Sequence, residues 1–213
     1  MVRRNRVDPY GDLHAVEARG LLTGNRGCLV DNNGDVVRHH QRSLWITCLT
    51  QYKSWRQPLA AVGRWTPLFF LDDPVALAAG HRPCGLCRRD AYVSYRDAIT
   101  SASGRRILLV ASEIDRRLEA ERLDRGRGLV RAADRRLWTA TVDELPTGSV
   151  ILFGHREPHL VIDKCLKPFQ FDGWGPPFER PWGSVVDVLT PPTSVTALGH
   201  GFEPILHPTA RAM

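Results

Sequence analysis

Cys84-Gly85-Leu86-Cys87 constrains this chain more than any other stretch. Two thiolates three positions apart can hold one metal ion from a single turn, which is the spacing of zinc knuckles. The flanks are ordered as well. Asp73 is placed to cap a short helix, Pro74 suits its first position, and Gly80 lies just past its end. A second helix is expected to follow the knuckle to about Ile99, with Tyr92, Tyr95 and Ile99 on one stripe. A metal held here needs further ligands. The cysteines are Cys28, Cys48, Cys84, Cys87 and Cys165, an odd number that argues against a disulfide framework. Cys28 follows a Gly-rich turn and Cys48 lies in an apolar strand, so the two could sit side by side in a sheet and complete a four-cysteine site. His39, His40 and His81 are alternative fourth ligands, Cys48 could instead be a core thiol, and Cys165 has no partner. Four thiolates put much negative charge on the ion, which favours a structural zinc, one per chain, over a Lewis acid.

Pro83-Cys84-x-x-Cys87 also occurs in zinc deaminases, which need an upstream His-x-Glu. The nearest candidate, His14-Ala15-Val16-Glu17, is one residue too long, a shift of about 100° on a helix.

The stretch from Phe69 to Arg89 resembles the second half of the zinc module of the Ada methyl-phosphotriester repair proteins. Phe69, Phe70, Asp72, Ala76, Ala79, Gly80, Arg82, Pro83, Cys84, Cys87 and Arg88 match that pattern, with His81 in place of an aromatic residue. The resemblance implies bound zinc and contact with DNA. The close C-x-x-x-C pair that takes up the methyl group in that family has no counterpart here. The rest of the chain resembles a bacterial family from which no activity follows.

Charge points to an anionic partner. The formal net charge is +6, with a pI of about 9.4. Lys53, Lys164 and Lys167 are the only lysines, so nearly every cation is a guanidinium, a group that binds phosphate with a two-toothed fork. GC-rich codon usage would give the same bias. Arg82, Arg88 and Arg89 adjoin the knuckle at a helix N-terminus, where backbone N–H groups also favour anions. Arg116 and Arg117 stand on a further helix expected from Ser112, where Ser112-x-x-Asp115 is a capping signature, Ile114 and Leu118 form the apolar face, and Arg116, Arg117, Glu119 and Arg122 face outward. These five arginines, 82, 88, 89, 116 and 117, are the nucleic-acid candidates. Asp115, Glu119 and Glu121 could serve acid–base chemistry, but nothing pairs them with a nucleophile.

The expected fold is α+β. A zinc-organised module over 1–104 holds short strands and two to three helices, an Arg-rich helical linker spans 105–136, and a β-rich, barrel-like region covers 137–213. Asp31-Asn32-Asn33-Gly34 signals a hairpin, and strands are expected near 44–49, 64–71, 149–153, 159–162 and 185–189, with a short helix from Pro191 to Gly199. Arg125-Gly126-Arg127-Gly128 reads as the domain boundary. Phe169, Phe171, Trp174, Phe178 and Trp182 either fill the barrel or stack on unpaired bases. No signal peptide follows the basic Met1–Arg6, and the longest aliphatic run, Ile107–Ala111, is too short for a bilayer, so the cytoplasm is the expected compartment. The functional expectation is a zinc protein that binds nucleic acid, DNA before RNA, in damage or modification recognition. The alternatives are a nucleic-acid enzyme (repair glycosylase, nuclease or base-modifying) with a structural zinc, and a protein–protein adaptor.

Overall fold

The computed structural model describes residues 2–54, 63–104 and 106–212. Part of the strand-and-turn stretch expected before Leu71, and Arg105 at the start of the Arg-rich segment, lie outside them. The fold is mixed α+β, with two sheets and five α-helices among the described residues. The first sheet comprises β1 (Arg6–Val7), β2 (Leu13–His14), β3 (Leu22–Asn25), β4 (Ile46–Leu49), β5 (Leu68–Phe70) and β6 (Arg82–Pro83). Its order is β2-β1-β5-β3-β4-β6. The expected hairpin around 31–34 shrinks to a single bridge, Val30 to Val36. The Asp31 carboxylate closes that loop by accepting from the N–H groups of Asn33 and Asp35.

Helix α1 (Asp73–Ala78) is capped by Asp72, one residue earlier than expected: the Asp72 carboxylate accepts from the Val75 N–H at 3.2 Å. Every residue of α1 is buried. Its small side chains suit an element enclosed between the two halves of the chain. Gly80 then turns the chain into β6 at φ +84°, and a Cβ there would meet Arg122 Cδ at 2.8 Å. Helix α2 (Arg89–Ala102) buries Tyr95 and Ile99, with Tyr92 half-buried beside them. Helix α3 (Ala111–Arg122) begins without a side-chain cap, because Asp115 is engaged elsewhere. Arg122 lies inside rather than outside, at 2% exposure.

The second sheet holds β7 (Trp138–Thr141), β8 (Val150–Phe153), β9 (Glu157–Ile162), β10 (Cys165–Gln170), β11 (Gly173–Trp174), β12 (Phe178–Glu179) and β13 (Val185–Val188). Its main path runs β11-β10-β9-β8-β13-β7, with β12 on β10. Among the described residues no pairing joins β7 to β11, so the expected barrel is an open sheet. Both faces are covered, which is why β8 and β9 read as unbroken apolar runs. Val150, Leu152, Leu160 and Ile162 pack with Val7, Leu22, Phe70 and α1. Ile151 and Val161 pack on the other side with Val142, Leu145 and Val188. Helix α4 (Pro192–Gly199) joins α2 and α3 in a further cluster, and α5 (Pro208–Arg211) closes the chain. Arg125–Gly128 therefore marks no boundary in the packing: the main core draws on residues from Val7 to Ala210.

Candidate metal centre

Parallel pairing of β4 with β6 builds the site. The register sets Ile46 against Arg82 and Thr47 against Pro83. Cys48 and Cys84 are the next residues along the two strands, and the Cys84 N–H donates to the Thr47 carbonyl at 2.9 Å. The turn that follows carries Cys87 back to the pair. Cys48, Cys84 and Cys87 present their sulfurs within 4.8 Å of one another, a group that could hold a metal ion. Backbone N–H groups serve the sulfurs. Leu86 N donates to Cys84 Sγ at 3.4 Å, and the Leu49 N–H steadies the Cys87 thiolate.

The thiols share protons unevenly. Cys84 is drawn down to about 5, chiefly by the hydrogen bond from Cys48 and then by N–H groups of the turn, against the opposing effect of burial. Cys48 is pushed well up by that same bond and by desolvation. Cys87 is raised by burial. One thiolate is thus stabilised before any metal arrives, and a cation would displace the remaining protons.

The three cysteines line one wall of a cavity of about 540 Å³. Leu49, Tyr52, Trp65, Phe69 and Leu86 supply its apolar surface, and Thr23, Asn25, Thr50 and Gln51 its polar groups. Among the described residues no Asp, Glu, Lys or Arg lines it.

Cys28 is not part of this group: its Sγ donates to the Val30 carbonyl at 3.6 Å. His39 hydrogen-bonds the Gly11 carbonyl at 2.9 Å and faces His40. His81 is fully buried, with both ring nitrogens unpartnered, between Trp45 and Phe70. Cys165 lies in β10, opposite Ile162 and Glu179. His14 sits in β2, at the far edge of the sheet from β4 and β6, and its Nε2 bonds Asp8 at 2.8 Å, so no deaminase-like pair forms.

The arginine candidates separate sharply. Arg88 is almost fully buried and grips Asp73 with two bonds of 2.7 and 2.6 Å, while also donating to Thr47 Oγ1. Arg82 grips Asp115 at 2.7 and 2.9 Å. Both guanidiniums turn inward and are committed to carboxylates, so neither presents a free fork to a phosphate. Arg89 and Arg116 are exposed, and Arg117 pairs with Glu113 at 3.4 Å. Glu121 has a structural task, accepting from Thr193 N and Oγ1 at the start of α4.

A second cleft, formed by the Arg-rich segment, has the opposite chemistry. It measures about 590 Å³ and lies where the end of α3 meets residues 123–136, with His40 on one side. Run-on arginines in sequence were its only signal. Compared with known proteins, the chain matches no family model, no curated protein and no solved structure. No helix among the described residues is long and apolar enough to cross a membrane.

Proposed function

We propose that this chain is a zinc protein that binds nucleic acid, DNA in preference to RNA, with Cys48, Cys84 and Cys87 as the zinc ligands. The convergence of three sulfurs from two separate segments carries this reading. Thiolates suit zinc, and Zn–S bonds of about 2.3 Å set sulfurs about 3.8 Å apart, within the 4.8 Å that bounds this group. Zinc would tie β4 to the turn before α2, a structural role. The resemblance of residues 69–89 to the Ada zinc module supports the same ion and the same class of partner. The net charge of +6 and the exposed Arg89 and Arg116 support the polyanion.

Metal analysis of the purified chain should return about one zinc per chain, lost in Cys84→Ser and retained in Cys28→Ser. Full purity without metal overturns the zinc reading. A gel shift with a DNA oligonucleotide should weaken steeply as salt rises. No shift at low salt overturns the nucleic-acid reading and leaves the adaptor.

The cavity favours a second reading, in which the metal's fourth position takes a molecule from it. Cobalt-substituted protein distinguishes the two: a visible-band shift on adding imidazole indicates an open position.

A further inference from the structure

The cleft beside α3 is lined chiefly by charged side chains. Arg116, Arg122, Arg125, Arg131 and Arg136 line it with His40, against two acids, Glu119 and Asp124. Its size falls in the range of small-ligand sites.

An ordinary structural role accounts for part of this. Arg136 binds Asp124 and the Ala120 carbonyl. Arg131 binds Asp134 and the Asp124 carbonyl, and so pins the loop. Arg122 donates to the carbonyls of Gly80 and Ser43. Of these, the Arg136 bond to the Ala120 carbonyl meets the C-terminal end of α3, whose dipole would otherwise repel an anion. Two features are left over. Arg116 and Arg125 are exposed on the walls and make no ion pair among the described residues. Behind the wall, Arg122 stacks on Trp45 at 3.8 Å, and Arg26 lies over the same ring at 4.8 Å. Arg26 is fully buried, with Nε and Nη1 unpartnered, and neither it nor Arg122 has an ion-pair partner among the described residues. The nearby carboxylate of Asp12 is taken up by the N–H groups of Arg131 and Ala132. Burial draws both Arg26 and Arg122 down to about 9, so they remain cationic at neutral pH. The carboxylates that act on them, Asp12 and Asp8 on Arg26 and Glu119 and Asp115 on Arg122, form no close ion pair with either, so the buried positive charge is costly and a further anion nearby offsets that cost.

We propose that this cleft is a phosphate-binding site, with the Arg116 and Arg125 guanidiniums as the free forks and Arg122 and Arg131 as its cationic floor. Five guanidiniums against Glu119, Asp124 and the Asp134 that Arg131 binds leave two positive charges for a phosphate dianion, and planar forks match its oxygens. The phosphate's source is either a nucleic-acid backbone or a free phosphate ester. Only the first source rests on the nucleic-acid reading.

The test uses the full, metal-loaded chain at constant ionic strength. Titration calorimetry follows inorganic phosphate, pyrophosphate and a single-stranded oligonucleotide in wild type, in Arg116→Ala/Arg125→Ala, and in Arg127→Ala, an exposed arginine outside the cleft with the same charge change. The double variant should lose at least tenfold in phosphate and pyrophosphate affinity at unchanged melting temperature, and Arg127→Ala should match wild type. Absence of phosphate and pyrophosphate binding to wild type, or equal loss in the control, overturns the site. Oligonucleotide binding that ignores the double variant keeps the nucleic-acid reading and removes the cleft from it. Phosphate binding that needs the cleft, with no oligonucleotide binding at all, keeps the site and overturns that reading.

Discussion

Two concavities of this molecule are chemical opposites. One is walled by three cysteines and by aromatic and aliphatic side chains, with no Asp, Glu, Lys or Arg among its described lining residues; the other is walled by five arginines. Soft sulfur donors in an otherwise uncharged surround suit a soft cation. Guanidiniums backed by further buried guanidiniums suit a hard anion. The knuckle's own arginines would have blurred this division, but Arg82 and Arg88 are withdrawn into ion pairs with Asp115 and Asp73. Of the knuckle's three arginines only Arg89 thus stays exposed, while five gather beside α3.

The division breaks most visibly at the sulfurs. Cys48→Ser removes the sulfur that β4 contributes to the group, and if that group holds a metal, several kcal/mol of stability should go with it, since binding energy of such an ion is folding energy. Chelator added to wild type should lower the melting temperature comparably and leave Cys48→Ser unmoved. An unchanged melting temperature in both would show that the thiols hold nothing.

Next in size is the ion pair that keeps charge from the thiol side. Arg88→Ala strands Asp73, which is 1% exposed at its side chain and also accepts from the Ile205 N–H. Removing one partner of a buried pair costs about 3–5 kcal/mol. Arg88→Met should cost a similar amount, because the stranded carboxylate rather than lost volume is responsible. Full rescue by Met would refute that account.

The cationic side should weaken in acid. Burial, then the arginines nearby, lowers His39 to about 2 and His40 to about 4, and His81 falls well below its usual range. In the unfolded chain each takes a proton near pH 6.5. The stabilising contribution is therefore complete above that pH and declines as pH falls toward the folded values. Asp72 works the other way. Burial raises it to about 7 despite bonds from Trp174, His207 and Val75, so its folded form gains relative stability as pH falls from 7 toward 4. Three protons outweigh one. Denaturation at pH 7.5, 6 and 5 should show a net decline on the order of 1 kcal/mol per pH unit for each net proton. His81→Leu replaces an imidazole without partners and should flatten the slope at no cost near neutrality. A flat profile in wild type would show that the histidines are not held neutral.

How far the chain could be read in advance follows the same division. Local signals sufficed for the knuckle, for α1 and for the runs at β8, β9 and β13, because capping, Gly and Pro chemistry and periodicity act within a few residues. Long-range partners were invisible. Nothing in Arg82 announces Asp115, and nothing in Asp73 announces Arg88. Cys48 reached the knuckle through a parallel pairing that neither two-residue β6 nor four-residue β4 advertises, whereas the equally plausible Cys28 did not. The buried guanidiniums of Arg26, Arg122 and Arg135 ran against the rule that arginine stays outside, so the region behind the cleft read as a solvated linker.

The smallest predicted effect separates the cleft from the general basicity of its helix. Arg116 and Arg117 are neighbours in sequence on α3, and only Arg116 lines the cleft. Arg117 leans on Glu113 one turn back, a half-exposed pair at 3.4 Å. Such a pair is worth about 0.3–0.5 kcal/mol, so Arg117→Ala should barely move the melting temperature. If phosphate is gripped by the cleft, the same variant keeps oligonucleotide affinity within about twofold, less than 0.5 kcal/mol. If the polyanion instead lies along a diffuse basic face, Arg117→Ala and Arg116→Ala weaken binding equally, and each reduces the salt dependence by about one phosphate contact. Equal losses would dissolve the contrast between the two concavities, because the positive charge beside α3 would then be a surface rather than a site.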